Sequence, residues 1–121
     1  AEEILNWFNL SKEVLNRKSY ELSGGEKIRI ALALSLASNP KVLLLDEPFG
    51  DLDPLNLRRV ANILKKIKLF LKPAIILVSH QLDFIEEVAD RCILIINGKI
   101  LNNGEPSKVI EEYMRLKENG I

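Results

Sequence analysis

The chain has 121 residues, 47% of them hydrophobic and 28% charged, and its 17 Lys and Arg balance 17 Asp and Glu. This composition fits a folded globular protein and excludes a disordered, collagen-like or coiled-coil rod. Zero net charge supplies no whole-chain field for nucleic acid or anionic membrane, and the single Cys and single His exclude a disulfide framework or a self-contained zinc site.

The chain opens at Ala1 with Ile4, Leu5 and Phe8 at helical spacing and no N-cap before them. It reads as a fragment, the second half of a larger domain; a natural terminus trimmed by processing is the alternative. Helical signal runs to about Asn16, followed by a polar connector, Arg17 to Glu21. Leu22-Ser23-Gly24-Gly25-Glu26 leads into an apolar, Ala-rich run, Lys27–Ala37, expected to be a largely buried helix that ends at Asn39-Pro40. Val42–Leu45 is a short, continuously apolar strand stopped by Asp46-Glu47-Pro48. A loop, Gly50–Pro54, precedes a helix from about Leu55 to Leu71, closed by Lys72-Pro73. Ala74–Val78 is a second apolar strand ending at Ser79-His80, and Leu82–Ala89 is another helix. Cys92–Ile96, Asn97-Gly98 and Lys99–Leu101 predict a hairpin, because Asn-Gly supplies the positive φ angles of a type I′ turn. Pro106 then starts a last helix that runs through about Lys117. The fold class is α/β: two strands apolar on both faces, joined through a helix, predict a parallel sheet covered on both sides.

In such sheets ligands bind beyond the carboxyl ends of the strands. If the two strands are parallel, Asp46-Glu47 and Ser79-His80 meet at one edge. Asp46 suits a hard cation such as Mg²⁺, held by one carboxylate plus substrate phosphates. Glu47 then orients or deprotonates an attacking water, and His80 reaches a terminal phosphate. Taken alone, Asp-Glu is also an ordinary solvated strand end. Ser23-Gly24-Gly25 at a helix start offers a hydroxyl, backbone N–H groups and a positive dipole end to a phosphate. In isolation it is equally a capped helix after a glycine turn.

Together, Leu22-Ser23-Gly24-Gly25-Glu26, Val42–Asp46-Glu47-Pro48, Gly50-Asp51-Leu52-Asp53 and Ser79-His80 resemble the C-terminal half of an ATP-binding-cassette ATPase nucleotide-binding domain. The resemblance implies a P-loop NTPase-like, mostly parallel sheet flanked by helices. It makes residues 1–22 the end of the helical subdomain and 23–121 the C-terminal part of the ATPase core. It implies that Ser23, Gly24, Gly25 and Glu26 belong to the signature motif, which contacts ATP held by the opposite subunit. Asp46 becomes the Walker B carboxylate toward Mg²⁺, Glu47 the catalytic base, His80 the switch histidine and Asp53 the D-loop carboxylate. Arg29 matches an Arg common after the signature. Gly50-Asp51, Leu34 and Gln81 depart from residues frequent in the family.

No G-x-x-x-x-G-K-[ST] occurs in the sequence, so the loop that grips ATP phosphates is expected upstream in a parent protein. The resemblance implies ATP and Mg²⁺ as cofactors. Its implied partners are the missing N-terminal half, a second nucleotide-binding domain and membrane-spanning transporter subunits, with a cytoplasmic, membrane-peripheral location. The hairpin and final helix favour an importer-like subunit. A chromosome-maintenance or repair ATPase, and a non-hydrolysing partner-binding fragment, are the alternatives. The basic residues Arg58, Arg59, Lys65, Lys66, Lys68 and Lys72 read as a solvated face, with no nucleic acid expected. Trp7 and Phe8 read as core, Cys92 as an inert thiol, and Tyr113, Met114 and Leu116 as packing residues.

Overall fold

The computed structural model describes residues 6, 8, 10, 16, 24–47, 49, 50 and 52–120. Most of the expected first helix, its connector, Trp7, Ser23, Pro48 and Asp51 lie outside the described residues. The chain divides into two compact units, Ala1–His80 and Gln81–Ile121.

In the first unit, α1 spans Gly24–Ala37 and takes in both glycines. Glycine disfavours helix interiors, which places the predicted start at Lys27; in a first turn the N–H groups need no intrahelical partner, so the objection weakens there. Its buried residues, Gly25, Arg29, Leu32, Ala33 and Leu36, follow helical spacing on one face. Leu34 on the other side is exposed, so the helix is buried along one stripe only. An Ala-rich sequence does not mark which face will be covered. Asn39, in the left-handed region at φ 51°, donates its N–H to the Leu36 carbonyl at 2.9 Å and stops the helix before Pro40.

Strand β1, Val42–Asp46, is followed by α2, Pro54–Phe70, which has Asp53 at its N-cap and Pro54 in its first turn. Val60, Ala61, Ile63, Leu64 and Ile67 form the buried stripe of α2, while Arg58, Arg59, Lys65, Lys66 and Lys68 are exposed as expected of a solvated face. Lys72, left-handed at φ 53°, closes α2 before Pro73. Strand β2, Ala74–Val78, runs parallel to β1 with Val42 opposite Ala74 and Asp46 opposite Val78. Backbone bonds of 2.8 Å extend this pairing at both ends, from Ala74 N–H to Lys41 O and from Glu47 N–H to Val78 O. Phe8, Leu10, Leu43, Leu45 and Phe49 are buried in the same unit.

The sheet is not covered on both sides. Leu43 and Leu45 are buried, but Leu44 is 70% exposed and its register partner Ile76 is 55% exposed. Val42 and Val78 share this open apolar face. Continuous apolarity marks a strand able to be buried twice; only the three-dimensional contacts decide whether it is. Contiguous apolar surface of this kind drives association. Replacing Leu44 and Ile76 together by Thr is therefore expected to raise the monomer fraction of the chain in sedimentation velocity; an unchanged distribution would place the sticky surface elsewhere.

The second unit holds α3, Leu82–Val88, the hairpin β3, Cys92–Ile96, and β4, Lys99–Gly104, and α4, Pro106–Glu118. Asn97 and Gly98 have φ 50° and 77°, as the predicted turn requires. β4 runs three residues past the predicted Leu101, because Asn102, Asn103 and Gly104 pair with the apolar strand β3 despite their low strand propensity. A register shift between Leu94 and Ile95 makes a bulge. The α4 helix packs on both hairpin strands and on α3, and the Asn102 side-chain amide donates to Glu112 of α4. Phe84, Leu94, Pro106 and Val109 are buried here, whereas Met114 is exposed and does not serve as a packing residue. Cys92 is half-buried, and burial pushes its thiol up, which suits an inert role.

Candidate functional site

Parallel pairing brings the two polar strand ends together. Asp46 closes β1 on the open face of the sheet, exposed to solvent. Glu47 follows immediately with φ 48°, a left-handed conformation that is unfavourable for a residue with a side chain. This turn, rather than simple pleat alternation, separates the two neighbouring carboxylates. Its backbone stays anchored by the bond from Glu47 N–H to Val78 O.

His80 lies just past the end of β2. Its Nε2 stands 3.0 Å from Glu47 Oε1, the side chains being 89% and 38% exposed. A pair this open to water contributes little to stability, on the order of 0–1 kcal/mol. It does orient both groups toward solvent at the strand edge, where a substrate can enter.

The second predicted element is only partly described. Ser23 lies outside the described residues, while Gly24, Gly25 and Glu26 form the first turn of α1. Gly25 does not have a positive φ. What it provides is room: a Cβ there would lie 2.6 Å from Asn56 Oδ1 and 2.7 Å from Asn56 Cγ. Arg29 supports the turn from below. Its residue is 7% exposed, its Nε donates to Gly25 O at 3.2 Å and its second guanidinium nitrogen donates to Phe8 O at 3.1 Å. Burial, reinforced by the charge of Arg59 and opposed by Glu26, holds the Arg29 pKa below its ordinary value. Arg29→Ala removes the guanidinium bonds to Gly25 O and Phe8 O and leaves a void in the packing. It is expected to cost about 2–4 kcal/mol in urea unfolding of the chain.

Asp53, at the N-cap of α2, is exposed and accepts a 2.5 Å hydrogen bond on Oδ1 from Asn56 Nδ2. This bond, aided by backbone N–H groups of Asn56 and Leu55, holds the Asp53 carboxyl below the usual range. The sequence reading missed Asn56. An Asn in the first turns of a helix carries no distinguishing signal until a contact from another helix is known.

Among the described residues no group of three or more His, Cys, Asp or Glu is gathered to hold a metal. Asp46, an exposed carboxylate beside Glu47 and His80, fits a hard cation that takes its remaining ligands from phosphate and water. No helix among the described residues is long and apolar enough to cross a membrane.

A family profile described as ABC transporter matches residues 1–50. Over 114 residues the chain is 51% identical to an uncharacterised ABC transporter ATP-binding protein of Methanocaldococcus jannaschii, covering 94% of this chain and 20% of that protein. It is 36% identical over 112 residues to a methionine import ATP-binding protein of Oceanobacillus iheyensis, covering 93% of this chain and 33% of the relative. A solved dimeric ATP-binding cassette in a post-hydrolysis state, bound to ADP and Pi, superposes with a TM-score of 0.72 at 28% identity, over 86% of this chain and 44% of that one. The chain thus spans a third or less of the length of the two relatives.

Proposed function

Because the chain belongs to the ABC transporter family of ATP-binding proteins, we propose that it supplies the water-activating half of an ATP-hydrolysing site and a signature turn for a second copy. The observation that carries this reading is the 3.0 Å approach of His80 Nε2 to Glu47 Oε1 at the ends of adjacent parallel strands. The left-handed backbone at Glu47 supports it, since a carboxylate kept where a side chain is disfavoured points to use of that carboxylate.

Glu47 Oε accepts a proton from water as the water oxygen bonds to the terminal phosphorus, and the bond to the bridging oxygen breaks to release ADP. The His80 N–H holds the Glu47 carboxylate in place through its hydrogen bond. Asp46 would hold Mg²⁺, which when bound neutralises phosphate charge. The turn Ser23–Glu26 offers its backbone N–H groups and helix dipole to the phosphates of a nucleotide held by the opposite subunit. Asp53 lies beside that turn through Asn56 and joins the same interface.

The dimeric relative bound to ADP and Pi supports two-fold assembly, and the import protein among the relatives supports transport over chromosome maintenance. On this reading residues 1–22 close a helical subdomain and 23–121 belong to the ATPase core. The complete subunit would sit on the cytoplasmic face of a membrane against transporter subunits.

The sequence contains no phosphate-gripping G-x-x-x-x-G-K-[ST] loop. Calorimetry on this chain alone is therefore expected to show no micromolar affinity for MgATP, while the complete ATP-binding subunit binds and hydrolyses it. Tight MgATP binding by the chain itself would overturn this division of the site. Absence of MgATP hydrolysis by a folded complete subunit would overturn the reading as a whole.

A further inference from the structure

Gly25 lies in the first turn of α1 and Asp53 at the N-cap of α2, and a single side chain lies against both. Asn56, in the first turn of α2, presents Oδ1 to the space above Gly25 and donates from Nδ2 to Asp53 Oδ1 at 2.5 Å. Since Gly25 does not have a positive φ, its lack of a side chain is explained by the closeness of Asn56. Pushing the Asn56 amide aside disturbs its bond to Asp53, so a change at either end bears on the other. Arg29 holds the Gly25 carbonyl from the buried side, which leaves the turn little freedom to retreat.

We propose that Gly25, Asn56 and Asp53 form one positioning unit, in which the Asn56 amide sets the Asp53 carboxylate relative to the first turn of α1. Asn56 is a positioning residue: it acts through the two groups it touches. The functional consequence, that signature turn and D-loop carboxylate move together, rests on the nucleotide-site reading above. The unit itself does not.

The test begins with the chain as it is. NMR titration of the Asp53 carboxyl is expected to show its midpoint rising toward the ordinary carboxylate range in Asn56→Ala, because the principal donor is gone. Asn56→Ala should fold, alanine being the better helix former. Gly25→Ala should raise the same midpoint by displacing Asn56, and should add nothing once Asn56 is already Ala. Stability gives a second reading. Gly25→Ala should lower the melting temperature while Asn56 is present and raise it in the Asn56→Ala background, where only the helix preference of alanine remains. An Asp53 midpoint unmoved by Asn56→Ala, or a Gly25→Ala effect of equal sign and size in both backgrounds, overturns the unit.

In the complete subunit, Asn56→Ala is expected to slow ATP turnover about ten-fold, the loss of one charge-assisted positioning bond, with MgATP binding by the monomer unchanged. Unchanged turnover alongside the expected chain-level shifts would uphold the unit and count against the role given to Asp53 at the nucleotide.

Discussion

Glu47→Gln in the complete ATP-binding subunit is expected to lower ATP turnover by about 10²–10⁴-fold, the usual worth of a general base. Gln preserves the shape of the side chain, and its carbonyl oxygen still accepts from His80 Nε2, so the 3.0 Å contact survives the substitution. What it cannot do is take a proton from water. MgATP affinity should change little, because Glu47 is assigned no part in gripping phosphate. With hydrolysis stalled, an ATP-bound dimer should accumulate and elute early in size-exclusion chromatography. Turnover near the parent rate would remove Glu47 from the base role. The exposed position of the side chain makes a folding explanation for lost turnover unattractive, and circular dichroism of the variant checks it.

The convergence of Glu47 and His80 was legible because it needs only two facts that short sequence patterns carry. Val42–Leu45 and Ala74–Val78 read as strands, and a helix between them makes parallel pairing the natural connection. The Asn97-Gly98 turn was legible for a similar reason, since its φ angles are written in residue type. Contacts between helices were not. That Asn56 occupies the space over Gly25 depends on how α1 and α2 cross, and neither sequence states it. The glycine therefore read only as making room for phosphate, and the amide of its own chain that lies against it went unread. The exposure of Leu34 and Leu44 belongs with this limit, because apolarity shows what can be buried and leaves open which surfaces meet. The left-handed backbone at Glu47 was likewise invisible, since nothing about glutamate favours that conformation.

Gly24→Asp separates a phosphate-contacting signature from a plain helix start, because the two readings assign opposite consequences to one charge. Gly24 is the first residue of α1. A carboxylate there faces the positive end of the helix dipole and is expected to stabilise the chain by about 0.3–1 kcal/mol in urea unfolding. Gly25 is the poorer position for such a test, because a Cβ there would meet Asn56 Oδ1 at 2.6 Å. If the turn only begins a helix, turnover per folded complete subunit should be preserved. If it receives nucleotide phosphate, the same charge repels the ligand and displaces donors from it, and turnover should fall by roughly 10²-fold or more. Mixing this variant with Glu47→Gln then tests whether the contact is made across a dimer. With the turn acting in trans, the heterodimer has one site carrying both lesions and one carrying neither, so a mixture of two nearly inactive proteins should recover activity. With the turn acting in cis, each site in the heterodimer carries one lesion and no activity returns. Absence of recovery in a mixture whose heterodimers are demonstrated by mass spectrometry would overturn the trans assignment for two independently working sites.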